Sequence, residues 1–137
     1  MRGFHLLAWA TIILAMLLLL LGIFWIVYPY QTMEVEDFVT TKAEYKSGDE
    51  VVYNFEYSKF IHEPCLVYRQ LINGVTYPID SFGSNLPKAQ FKLSSDTIQL
   101  PMLLKPDTYI LRLVYVHQVN PLRTISKEFN SKPFCVK

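Results

Sequence analysis

The sequence predicts an all-β domain, an antiparallel two-sheet sandwich, carried on one N-terminal transmembrane helix. Three observations predict it. An uncharged apolar run, Leu6 to Tyr28, opens the chain. After residue 33 the apolar side chains recur with a period of two rather than 3.6. Turn-forming groups such as Ser47-Gly48-Asp49, Asn73-Gly74 and Asn120-Pro121 punctuate that pattern.

The apolar run has 23 residues, of which only Thr11 and Gly22 fall outside the hydrophobic set. As a helix it rises roughly 34 Å, enough to cross a hydrocarbon core of about 30 Å. Backbone polar groups in lipid are satisfied only in a helix or a closed barrel, and one segment closes no barrel. Trp25, Tyr28 and Tyr30 gather at its C-terminal end as membrane-interface anchors, and Pro29 stops the helix. A cleaved secretory signal would have a shorter apolar run ending in small residues, so a retained anchor is expected. The N-terminal flank carries Arg2, whereas Glu34, Glu36 and Asp37 open the other flank. The positive-inside rule therefore keeps residues 1–5 in the cytoplasm and exports the rest to the periplasm or cell exterior. The expected organisation is a tail (1–5), a transmembrane helix (6–28), a juxtamembrane link (29–37) and a β domain (38–137).

Residues 34–137 contain 12 Lys+Arg and 12 Asp+Glu, a formal charge of zero. That balance excludes the basic excess of a nucleic-acid binder. Their 7 Tyr and 7 Phe exclude a disordered tail. Within them Val51, Tyr53, Phe55 and Tyr57 share one strand face. Leu66, Tyr68, Gln70 and Ile72 alternate with Cys65, Val67, Arg69 and Leu71, and Asn73-Gly74 predicts a tight type I′ hairpin into Val75–Tyr77. Phe91–Leu93 and Thr97–Leu100 are two short candidates. Thr108–Val119 is the longest strand, with Tyr109, Leu111, Leu113, Tyr115 and His117 on one face. Arg123–Phe129 and Phe134–Lys137 finish the chain.

Two stretches add a resemblance. Tyr45-Lys-Ser-Gly-Asp-Glu-Val-Val-Tyr-Asn-Phe resembles the turn and second strand of bacterial and phage-type immunoglobulin-like domains. Leu100-Pro-Met-Leu-Leu-Lys-Pro-Asp-Thr-Tyr resembles the corner before their penultimate strand, with Asp107 where that pattern usually has Gly. The resemblance implies an immunoglobulin-like β-sandwich in which Tyr109 is a tyrosine corner, its hydroxyl bonded to upstream backbone. It implies an architecture and no activity.

Chemistry-bearing residues are sparse. Cys65 and Cys135 are the only cysteines, read either as one disulfide or as two unpaired thiols. His62, Cys65, His117 and Met102 would supply a copper site only if the fold gathered them. No nucleophile elbow, phosphate loop or metal-ligand spacing is present, so no catalytic residue and no cofactor are expected. Tyr68, Arg69, Arg112, Tyr115 and Arg123 have the residue types of a binding surface. The irregular stretch Asp80–Lys88 and the turn Asn120–Thr124 are the first candidates for contact loops. The function expected is a non-enzymatic, single-pass membrane protein whose outer domain binds another protein beside the bilayer. A copper or redox carrier is the alternative, and a small extracytoplasmic enzyme the third.

Overall fold

The computed structural model describes residues 1–137. Helix α1 runs Arg2–Val27, and none of its side chains is buried by the rest of the protein. It is apolar around its whole circumference, as lipid demands and water does not. It is long and apolar enough to cross a membrane. Tyr28 leaves the helix with φ −56° and ψ 129°, the extended geometry that a following proline imposes.

Nine strands follow: β1 Met33–Thr40, β2 Glu44–Tyr45, β3 Glu50–Lys59, β4 Cys65–Ile72, β5 Thr76–Ser84, β6 Ala89–Gln99, β7 Asp107–Asn120, β8 Arg123–Asn130 and β9 Phe134–Val136. One sheet has the order β1-β3-β6. The other has the order β2-β9-β7-β4-β5, with β8 also on β7. β7 is long enough to serve both partners on one side, β9 at Asp107–Tyr109 and β8 from Arg112 onward. The pairings are antiparallel except β2 with β9, which is parallel, so the second sheet is mixed rather than antiparallel throughout.

The inward faces of both sheets share one core. Val51, Tyr53, Phe55 and Tyr57 of β3 meet Tyr109, Leu111, Leu113 and Tyr115 of β7 and Val67 and Leu71 of β4 in a single apolar cluster. Aromatic rings pack edge-on there, as in Phe38 against Tyr53 at 5.5 Å and Tyr45 against Phe134 at 5.6 Å.

Several expectations are corrected. The helix begins at Arg2 and ends at Val27, not at 6 and 28. Residues 33–37 are not a link. They open β1, and Met33 is fully buried. A bulge hides this strand from a period-two reading. Asp37 sits at φ 52° where the β1–β3 register slips, so Phe38, one residue out of step with Met33 and Val35, still faces inward. The Asn73-Gly74 hairpin is not type I′: only Gly74 is left-handed (φ 65°), and the loop closes Ile72 onto Thr76 across three residues. The two short candidates at 91–100 belong to one strand, β6, which runs unbroken through Ser94–Asp96; its irregularity, Phe91 at φ 50°, lies near its start, where the β3–β6 register shifts. Asp80–Ser84, read as loop, belongs to β5.

A candidate binding cleft between two sheet edges

β5 ends one sheet and β6 ends the other, so each has a neighbour on one side only. Between these edges lies a cleft of about 320 Å³. Tyr53, Phe55, Phe82 and Tyr115 give it an aromatic floor. Ser84, Asn85, Ser94, Ser95 and Asp96 give it polar walls, and Leu86-Pro87 closes one end. Local register puts these groups there. Phe82 lies opposite Val67 and Ser84 opposite Cys65, both inward positions of β4. Ser94 lies opposite Phe55 and Asp96 opposite Tyr53. Tyr57 donates its hydroxyl to the Pro87 carbonyl at 3.4 Å, and Lys59 Nζ donates to the Leu86 carbonyl at 2.9 Å. These bonds hold the Asn85–Lys88 loop against β3.

Arg69 ties the two sheets together beside the cleft. It sits directly opposite Asp80 in the β4–β5 register, on the same face of the sheet, with Arg69 buried and Asp80 partly open to solvent. Its Nε donates to Asp80 Oδ1 at 2.6 Å and its Nη2 to Asp80 Oδ2, a bidentate pair. Its Nη1 crosses to the other sheet, donating to the Thr97 carbonyl at 2.6 Å and to the Tyr53 hydroxyl at 3.4 Å, with Asp96 Oδ2 at 3.6 Å. The guanidinium also lies 4.9 Å from the Phe82 ring centroid. Hydrogen bonding to Asp80 raises the Arg69 pKa, so it stays charged. Burial pushes the Tyr53 phenol up to about 12 and that of Tyr115 up as well, so both remain neutral donors.

The five residues proposed as one binding surface are therefore dispersed. Arg69 and Tyr115 are buried among the inward-facing side chains, Tyr115 on the floor of the cleft and Arg69 beside it, and neither is on the outer surface of the sheet. Tyr68 and Arg112 lie on the outer face of the second sheet, and Arg112 is engaged by Asn130 at 3.0 Å and Glu128 at 3.7 Å. Arg123 stands at the helix end of the domain, donating to the Tyr28 carbonyl. The inward place of Arg69 was legible: it shares strand parity with Val67 and Leu71, an arginine inside an apolar triplet. Its partner Asp80 was not, because the register slips between Arg69 and Gln70, where Pro78 lacks a ladder donor.

The cysteines do not pair. Cys65 precedes Leu66, which lies opposite Val116 of β7, whereas Cys135 lies opposite Thr108. Eight residues of strand separate those positions, roughly 26 Å, and a disulfide needs Cα atoms within about 7 Å. Cys65 is buried and Cys135 exposed, both as free thiols. Burial raises the Cys65 pKa, which keeps the thiol protonated and unreactive. The candidate copper ligands are likewise apart. Met102 lies against Gly48, in the turn before β3, while His117 is near the opposite end of β7. No group of three His, Cys, Asp or Glu side chains is placed to hold a metal ion. His117 is fully buried with both ring nitrogens unpartnered, as is the Thr32 hydroxyl. Burial, then the Lys59 charge, lowers the His117 pKa.

No protein-family model and no curated protein matches the sequence. Among solved structures, Spo0M, a sporulation control protein from Bacillus subtilis, superposes with a TM-score of 0.54 at 15% identity over 79% of this chain and 50% of that one. The chain thus spans about half the length of Spo0M, and the likeness is one of fold alone. The Pseudomonas fluorescens alkylpurine DNA glycosylase AlkC superposes more loosely, with a TM-score of 0.44 at 11% identity over 79% of this chain and 31% of that one.

Proposed function

We propose that this protein is a non-enzymatic, single-pass membrane protein. Its N-terminus is cytoplasmic, and its immunoglobulin-like domain, in the periplasm or outside the cell, takes an extended segment of a membrane-resident protein at the open edge beside the cleft. The observation that carries this reading is the edge of β6. Over 11 residues β6 has one neighbouring strand, and apart from Thr97, whose carbonyl accepts from Arg69 and whose N–H donates to Asp96 Oδ1, its other side is open to an added strand. Phe91 and Leu93 stand exposed on that strand, and the aromatic cleft lies alongside to receive alternate side chains. The five residues 28–32 between α1 and β1 span less than about 18 Å even when extended, which keeps the partner's segment close to the bilayer. The immunoglobulin-like reading is supported by Tyr109, whose hydroxyl donates to the Lys105 carbonyl at 2.8 Å in the manner of a tyrosine corner.

The test is site-specific photo-crosslinking in intact membranes, with the reactive residue placed at Leu93 or Ser95 on β6 or at Tyr68 on the opposite sheet. One discrete protein adduct is expected from the β6 positions and none from Tyr68. Adducts from Tyr68 with none along β6 would overturn the assignment of the interface.

A further inference from the structure

The seam between helix and domain carries a second interaction surface. The last carbonyls of a helix have no partner inside it. In α1 the Tyr28 N–H takes the Phe24 carbonyl at 2.9 Å. The Trp25 carbonyl accepts from Asn120 Nδ2 at 2.8 Å, and the Tyr28 carbonyl accepts from Arg123 Nη1. Both donors belong to the hairpin joining β7 to β8. Asn120 Nδ2 also lies 3.4 Å from the Tyr30 hydroxyl, and the Arg123 guanidinium lies 5.8 Å from the Tyr30 ring centroid. The last turn of α1 has no basic residue of its own. Arg123 supplies from a distance the cation that the negative end of a helix dipole favours.

Helix length sets the depth of this seam. The 26 residues of α1 span about 39 Å, against a hydrocarbon core of about 30 Å. A centred helix therefore overhangs by about 4–5 Å, or three residues, at each end. Trp25 is the third residue from the C-terminal end of α1, with Val27 the last, so its carbonyl lies at the hydrocarbon edge. There an unpartnered carbonyl is costly. A donor bonded to it sits at the same depth. The hairpin tip that follows Asn120 is Pro121-Leu122, and Leu122 is 58% exposed to solvent in the protein alone.

We propose that the β7–β8 hairpin is a membrane-contact element: it caps α1 and seats Leu122 in the lipid interface, holding the β domain in one orientation over the bilayer. The partner is the lipid surface itself. The proposal rests on the membrane-anchored reading of α1 and is independent of what occupies the cleft. By strand polarity, the Asn85–Lys88 loop lies at the same end of the domain as this hairpin, so the closed end of the cleft faces the bilayer.

The test uses the full chain in vesicles of phosphatidylcholine and phosphatidylglycerol that carry a spin-labelled lipid quencher. An environment-sensitive fluorophore is placed by Leu122→Cys in a Cys135→Ser background, with buried Cys65 left in place. The control is Leu103→Cys, at the 95%-exposed tip near the far end of the domain. Quenching of Trp9 and Trp25 by the same lipid reports insertion of α1. The expected result is quenched tryptophans, a probe at 122 quenched several-fold more than at 103, and loss of most quenching at 122 in Asn120→Ala/Arg123→Ala with circular dichroism unchanged. Quenched tryptophans with the probe at 122 behaving like that at 103 would overturn the hairpin contact and leave the anchor standing. Undiminished quenching at 122 in the double variant would overturn the capping role. If the tryptophans too are unquenched, the anchored reading falls and this proposal with it.

Discussion

Replacing Arg69 by Met tests the claim that one buried guanidinium joins the two sheets. The Arg69 side chain is 11% exposed and Asp80 41%. Methionine keeps most of the aliphatic packing and removes every bond the guanidinium makes. Losing the partner of a fully buried ion costs about 3–5 kcal/mol. Asp80 regains water, so the charge-assisted bond accounts for nearer 1.5–3 kcal/mol. The Thr97 carbonyl and Tyr53 hydroxyl lose a donor as well, at about 1 kcal/mol each, while relief of guanidinium desolvation offsets part of the total. The net expectation is a loss of about 3 kcal/mol. With a urea dependence near 1.5 kcal/mol per molar, the midpoint falls by about 2 M. The assay is urea unfolding of the full chain in detergent micelles, followed by near-ultraviolet circular dichroism of the core tyrosines. A cycle with Asp80→Asn isolates the pair, with a coupling of about 1–2 kcal/mol expected. A loss below about 0.5 kcal/mol for Arg69→Met, or a coupling near zero, would refute the reasoning.

Two further outcomes follow from buried groups. A thiol reagent applied to the native chain should modify Cys135 quickly and Cys65 only after denaturation, and an oxidant should form no intramolecular bridge; an oxidised species two hydrogens lighter, with neither thiol reactive, would contradict the strand register. The His117 pKa lies below its ordinary value of about 6.5, so below that pH the unfolded chain binds the proton more readily than the folded one. Stability should hold above about pH 6.5 and fall as the pH drops from there toward the folded value, a slope that His117→Leu should diminish in urea midpoints measured across that range.

What the sequence determined by itself was whatever short-range periodicity encodes. A helix in lipid needs only length, apolarity and a stop, and Leu6 to Pro29 supply all three. The inward faces of β3 and β7 were equally plain, because Val51, Tyr53, Phe55 and Tyr57, and then Tyr109 through His117, alternate without interruption. Tertiary structure decided whatever depends on register between distant strands. A single extra residue reverses the parity of everything beyond it. Asp37 does this in β1 and concealed a strand whose first residue is wholly buried. The same dependence hid the cleft, since two strands become edges only when their neighbours are known. It also separated the cysteines, because spacing along the chain says nothing of spacing along β7. The bonds from Asn120 and Arg123 to the helix end join residues 95 apart in sequence. No local pattern announces such a contact, because it depends on where a hairpin tip comes to rest after the sheets have packed.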